Sequence, residues 1–145
     1  FRRVLFRSVP PQMHESVPYL DFAPLQNALS NLQLCAKQYQ ELLGKNDVSG
    51  LIPETLQSLN ALLLKSERAL TAEAGLPRRP WFVHQMYAPG FYTGYGVKTL
   101  PGIREAIEQR NWREANEQVE IAAKVLNGFC AEVTKMVMLL KVTAK

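Results

Sequence analysis

Trp112-Arg113-Glu114-Ala115-Asn116-Glu117-Gln118-Val119-Glu120-Ile121-Ala122-Ala123-Lys124-Val125-Leu126-Asn127-Gly128-Phe129-Cys130-Ala131-Glu132-Val133-Thr134-Lys135-Met136-Val137-Met138-Leu139-Leu140 is the stretch on which the fold turns. Trp112, Ala115, Val119, Ala122, Ala123, Leu126, Cys130, Val133, Val137 and Leu140 recur at three- and four-residue steps, the period of one face of an α-helix. The run predicts a long last helix from about Trp112 to the end. Asn111 is a break and an N-cap, with Glu114 three residues on to complete a capping box. Gly128 lowers helix propensity but allows a neighbour to approach closely. The tail Met136-Val137-Met138-Leu139-Leu140-Lys141-Val142 is apolar on more than one face. It either fills a core or meets a partner through oligomerisation or docking.

Working outward, Pro101-Gly102 opens a short helix with Ile103, Ala106 and Ile107 on one side. Before it, residues 75–101 have no clear period and hold six of the thirteen aromatics and four of the nine prolines. Disorder does not suit so many rings, so this stretch is expected to be a long ordered loop packed by its own aromatics. Pro53 starts an earlier helix with Leu56, Leu59, Leu63 and Leu70 as its seam, ended by Gly75 and Pro77. A first helix carries Leu25, Ala28, Leu29, Leu32, Cys35, Ala36, Tyr39, Leu42 and Leu43 on one stripe, with its start at Asp21 to Pro24 and its stop at Gly44. Residues 9–24 hold four prolines and read as an extended lead-in. The whole is an all-α domain over residues 25–145: three long helices and one short in an antiparallel bundle, with no strand run of note.

The 145 residues are 47% hydrophobic and carry a formal charge of +4 from 17 basic and 13 acidic side chains. Three of the arginines lie in the octapeptide Phe1-Arg2-Arg3-Val4-Leu5-Phe6-Arg7-Ser8. This octapeptide matches, residue for residue, the translation of the end of a common short-read sequencing adapter. Residues 1–8 are therefore read as an artefact and set aside. Without them 14 basic residues face 13 acidic ones, and the hint of a nucleic-acid binder fades. No apolar run is long enough for a membrane span.

Chemical motifs are sparse. His14 and His84 are far apart, and no paired-cysteine or His-Glu-x-x-His spacing suggests zinc. His84, among Trp81, Phe82 and Tyr87, reads as a packed, hydrogen-bonded loop residue. Cys35 and Cys130 fall on buried faces, where cysteine behaves as a small hydrophobe. There is no nucleophile elbow and no phosphate-binding loop. Arg78, Arg79 and Lys98 are interleaved with rings, as on a single-strand nucleic-acid platform. Against that, Glu105, Glu108, Glu114, Glu117 and Glu120 follow closely and read as a solvated mixed-charge helix face.

Gly75-Leu76-Pro77-Arg78-Arg79-Pro80, His84-Gln85-Met86-Tyr87-Ala88-Pro89 and Leu100-Pro101-Gly102-Ile103 resemble segments near the C-terminus of glutamate carboxypeptidase-like metallopeptidases. In that family they belong to a helical, transferrin-receptor-like dimerisation domain, and the likeness runs from about Val17 to the C-terminus. The resemblance implies an exported or cell-surface parent with an upstream peptidase domain holding two zinc ions, acting on peptides as a homodimer. The family's zinc ligands and general base lie upstream of everything here, so no catalytic or metal-binding residue and no cofactor is assigned to this chain. One contribution carries over: a Lys-Tyr pair that binds the substrate's terminal carboxylate. Those positions are Gly94 and Tyr95, so the tyrosine is kept and the lysine is lost. Tyr95 can still donate one hydrogen bond, without the charge-assisted contact. Its alternative role is loop packing. The alternative for the parent is a non-enzymatic, transferrin-receptor-like binding protein.

Overall fold

The computed structural model describes residues 13–45 and 50–143. The octapeptide, the first part of the lead-in and the Asn46–Ser49 turn lie outside the described residues. Residues 13–22 carry no regular element. Asp21 Oδ1 then accepts the Ala23 N–H at 2.9 Å and sets the start of α1 (Ala23–Lys45). Helix α2 (Pro53–Ser66) follows, with Pro53 in the first turn, where its missing N–H costs nothing.

Helix α2 gives way to a 3-10 turn over Glu67–Leu70, earlier than the stop expected at Gly75 and Pro77. Tertiary hydrogen bonds end it. Leu70 O accepts the Gln85 N–H at 3.0 Å and Ala72 N–H reaches Val83 O at 2.9 Å, which draws the chain into the following loop.

That loop is not free of strands, as its lack of period suggested. Two short strands, β1 (Tyr87–Pro89) and β2 (Val97–Thr99), pair antiparallel, with Tyr87 opposite Thr99 and Pro89 opposite Val97. Three residues per strand are too few for an alternating pattern to stand out in sequence. Helix α3 (Pro101–Glu108) and helix α4 (Trp112–Thr143) complete the chain.

The turn between α3 and α4 is a Schellman motif. Arg110 sits at φ 57°, its N–H bonds Ile107 O at 2.9 Å, and the Asn111 N–H bonds Ala106 O at 2.8 Å. Asn111 then caps α4 as expected: its Oδ1 accepts the Glu114 N–H at 3.3 Å, and its Nδ2 donates to Glu114 Oε2 at 3.1 Å.

Helix α4 is the spine of a core built in three levels. Ile103, Val119 and Ala122 pack with Phe22, Leu25 and Met86 at the first. Ala28, Ala123 and Leu126 pack with Leu32 and Leu70 at the second. Leu59, Met136 and Leu140 pack with Tyr39, Leu42 and Leu43 at the third. Residue numbers on α1 and α4 rise together through the levels, so these two helices run parallel, and α2 returns between them in the opposite sense. Consecutive long helices are thus antiparallel, but the most extensive contact of the bundle is the parallel α1–α4 pair. A three-helix up-down-up path makes this unavoidable.

Several seam assignments change. Leu29 and Leu63 are nearly half exposed, because single levels of the core reach only part of each stripe. Gly128 meets no neighbour within 4 Å of where a Cβ would stand, so no helix approaches there. Cys35 and Cys130 are not separate small hydrophobes. They are joined by a disulfide between α1 and α4, Cα to Cα 6.3 Å, within the normal span of such a bond. Both lie on seams that face each other at the same height.

Candidate functional site

The stretch between α2 and α3 is built by a series of tight turns. Gly75 has φ 67°, and a Cβ there would stand 2.2 Å from Pro80 O, so only glycine fits. Leu76 N–H bonds Phe82 O at 2.9 Å across the turn, and Arg79 N–H bonds Leu76 O at 3.1 Å inside it. This geometry drives the Arg79 side chain inward.

Arg79 is 6% exposed. Its Nη2 donates to Glu105 Oε1 at 2.6 Å and its Nη1 to Pro89 O at 2.5 Å. The guanidinium lies 5.6 Å from the centre of the Phe91 ring and 5.9 Å from that of Phe82. Glu105 Oε1 also accepts the Phe91 N–H at 2.8 Å. One carboxylate on α3 therefore holds the turn motif and the exit of β1 together. A hydrogen-bonded ion pair so deep is tolerable only because both partners have further contacts.

Two more pairs fix the same region. Lys98 Nζ donates to Glu108 Oε2 at 2.5 Å. Arg78, at φ 63°, makes a bidentate pair with Glu114 at 2.8 and 2.9 Å, which raises the pKa of its guanidinium, chiefly through the hydrogen bond. Glu105, 1% exposed, and Glu114 thus leave the solvated charge face expected of them, while Glu108, Glu117 and Glu120 remain exposed on it. Each of the three cations that suggested a nucleic-acid platform faces one of these carboxylates. Sequence reasoning missed the pairing because the partners lie 10 to 36 residues apart, beyond any helical period.

His84 is the packed loop residue expected. Its Nδ1 accepts the N–H groups of Met86 and Tyr87 at 3.2 and 3.3 Å, so its proton lies on Nε2, 3.1 Å from Glu67 Oε1. Tyr87 Oη donates to the same oxygen at 2.7 Å, and burial plays the least part in raising the Tyr87 pKa, after that hydrogen bond and the negative charge of Glu67. His14, in the lead-in, is exposed and far from this cluster in sequence.

Beyond these anchors, residues 90–96 project as the tip of the β1–β2 ribbon. Gly90 N–H bonds Gly96 O at 2.9 Å, and a Cβ on Gly90 would fall 1.9 Å from Thr93 Oγ1. Gly94 has φ 62° with open space around it. Tyr95 is completely exposed, and Tyr92 and Val97 are mostly exposed. The structure therefore brings Gly94 and Tyr95 together on a firmly based, outward-facing tip.

Among the described residues, no three His, Cys, Asp or Glu side chains come together to hold a metal ion. These residues do not fit a zinc centre. Among them, no helix is long and apolar enough to cross a membrane.

This chain is similar to several known proteins. It is 32% identical over 107 residues to a probable glutamate carboxypeptidase of Arabidopsis thaliana, covering 69% of this chain and 15% of that protein. It is 28% identical over 109 residues to a probable glutamate carboxypeptidase of Arthroderma benhamiae, covering 75% and 15%. It is 26% identical over 110 residues to an inactive zinc metalloprotease of Schizosaccharomyces pombe, covering 74% and 14%. The chain thus spans about 15% of the length of the curated relatives it matches. Residues 20–133 match the transferrin receptor-like dimerisation domain, and the chain belongs to that family.

Proposed function

We propose that this domain holds two copies of a larger zinc peptidase together and lends the tip around Tyr95 to the peptidase's substrate pocket. The observation that carries this reading is a contrast within the ribbon. Its base is fixed by the buried Arg79–Glu105 pair, while Tyr95 at its tip is fully exposed. A wholly exposed tyrosine on a rigid base suits a contact made with something outside this chain. The phenol would donate one hydrogen bond to a substrate carboxylate, and Gly94 would leave open the space that a lysine fills in the related family.

Zinc would be held by an upstream domain, and residues 9–145 alone are expected to hydrolyse nothing. In the full-length protein, Tyr95→Phe should lower kcat/KM for peptide substrates about tenfold, the loss of one hydrogen bond, with no change in melting temperature. Unchanged kinetics would remove Tyr95 from the pocket. Self-association is tested separately, by sedimentation of this chain. A monomer at high concentration would count against the homodimer.

The relative named as an inactive zinc metalloprotease supports a second reading, a non-enzymatic parent that binds rather than cleaves. A His/Asp/Glu zinc set in the upstream reading frame favours the enzyme, and its loss favours the binding protein.

A further inference from the structure

Cys35 and Cys130 are the only cysteines of the sequence, and the fold joins them. They stand on the first and the last helix, 95 residues apart, in the helix pair with the most extensive contact. The bond lies between the second and third levels of the core, with Ala28 and Ala123 on one side and Tyr39 and Met136 on the other. Thr134 Oγ1 donates to Cys130 O at 2.8 Å and stands 3.5 Å from Cys35 Sγ, so the two seams are in register at this height.

We infer that Cys35–Cys130 is a permanent structural cross-link, and that this domain is folded in a compartment that oxidises thiols, such as a secretory lumen or a periplasm. Disulfides persist in such places and are rare where thiol reductants are abundant. The bond forms by exchange with the disulfide of an oxidised thiol–disulfide oxidoreductase. Two thiols give up two electrons and two protons, one sulfur–sulfur bond forms, and the donor disulfide leaves as a dithiol. The cross-link matters because it closes a long loop. α1 and α4 meet only after the whole domain has been made, and a bond between them removes the chain entropy of that closure from the unfolded state. The inference stands apart from the peptidase reading, since it depends on neither zinc nor Tyr95.

The test uses the 145-residue chain, secreted from a host with an oxidising lumen. Alkylation with iodoacetamide in denaturant without reduction should leave both cysteines unmodified, and digestion should yield one linked peptide carrying Cys35 and Cys130. Reduction with dithiothreitol should lower the melting temperature by about 10 °C. The Cys35→Ser, Cys130→Ser double variant should melt near the reduced protein and ignore the reductant. Alkylation of both thiols in the secreted protein would overturn the inference. So would a melting temperature that reduction does not change. The mass measurement on the unaltered chain decides the matter even if the double variant fails to fold.

Discussion

Arg79 Nη2 lies 2.6 Å from Glu105 Oε1, and both side chains are almost wholly removed from solvent. The pair links a turn made from residues 75–82 to a helix whose own start is set by Pro101. Glu105 also holds the Phe91 N–H, so one carboxylate governs the placement of the ribbon that carries Tyr95.

Glu105→Gln should destabilise the domain by roughly 3–5 kcal/mol, because the Arg79 cation stays buried without its counter-charge. Urea denaturation measures this. Replacing both partners with apolar residues, Arg79→Met with Glu105→Leu, should recover much of the loss. A double variant as weak as the single one would show that the Phe91 and Pro89 hydrogen bonds matter more than the charge.

Gly75→Ala should cost roughly 2 kcal/mol or more, from positive φ and from collision with Pro80 O. Gly94→Ala shares the positive φ but has open space, and should cost less. Thermal melts of the two variants side by side test the difference.

Asn111→Ala should cost about 1 kcal/mol, the usual worth of an N-cap. Glu114 shares its Oε2 between Asn111 and Arg78 but keeps its bidentate pair with Arg78 when the cap is removed, so the fold should survive. A change in helix content by circular dichroism beyond fraying at Trp112 would contradict this.

Tyr87 should ionise above the ordinary tyrosine value of 10.0, since the neutral phenol is the form that donates to Glu67. Its folded pKa is raised, so its contribution to stability is complete below pH 10.0 and is lost as the pH rises through the folded value. Phenolate absorbance compared with a Tyr87→Phe variant reports this ionisation. Glu67→Ala should bring it back down.

Helix α4 was legible because its apolar residues repeat over many turns, and nearly all of its seam is buried: Ala115, Val119, Leu126, Val133 and Leu140 among others. The cap at Asn111 was legible for a local reason, since its partner Glu114 is one turn away. The motifs around Gly75, His84 and Pro101 identified the family because their turns demand particular residues at fixed offsets. Glu105 was misread because a helix-surface pattern says nothing of a loop arriving from residues 75–91. Leu63 was misread because periodicity marks a face but not whether anything covers it.

The sequence by itself determined where the helices lie, the cap of α4, the aromatic stretch with Gly94 and Tyr95, and the family. Each depends on residues within a few turns of one another, where spacing and backbone preference act directly. Only the tertiary structure decided the parallel α1–α4 pair, the Cys35–Cys130 bond, the Arg79–Glu105 anchor and the ribbon it supports. Those depend on which distant surfaces meet, and burial then turns a charge or a thiol that looked ordinary in the sequence into a structural tie.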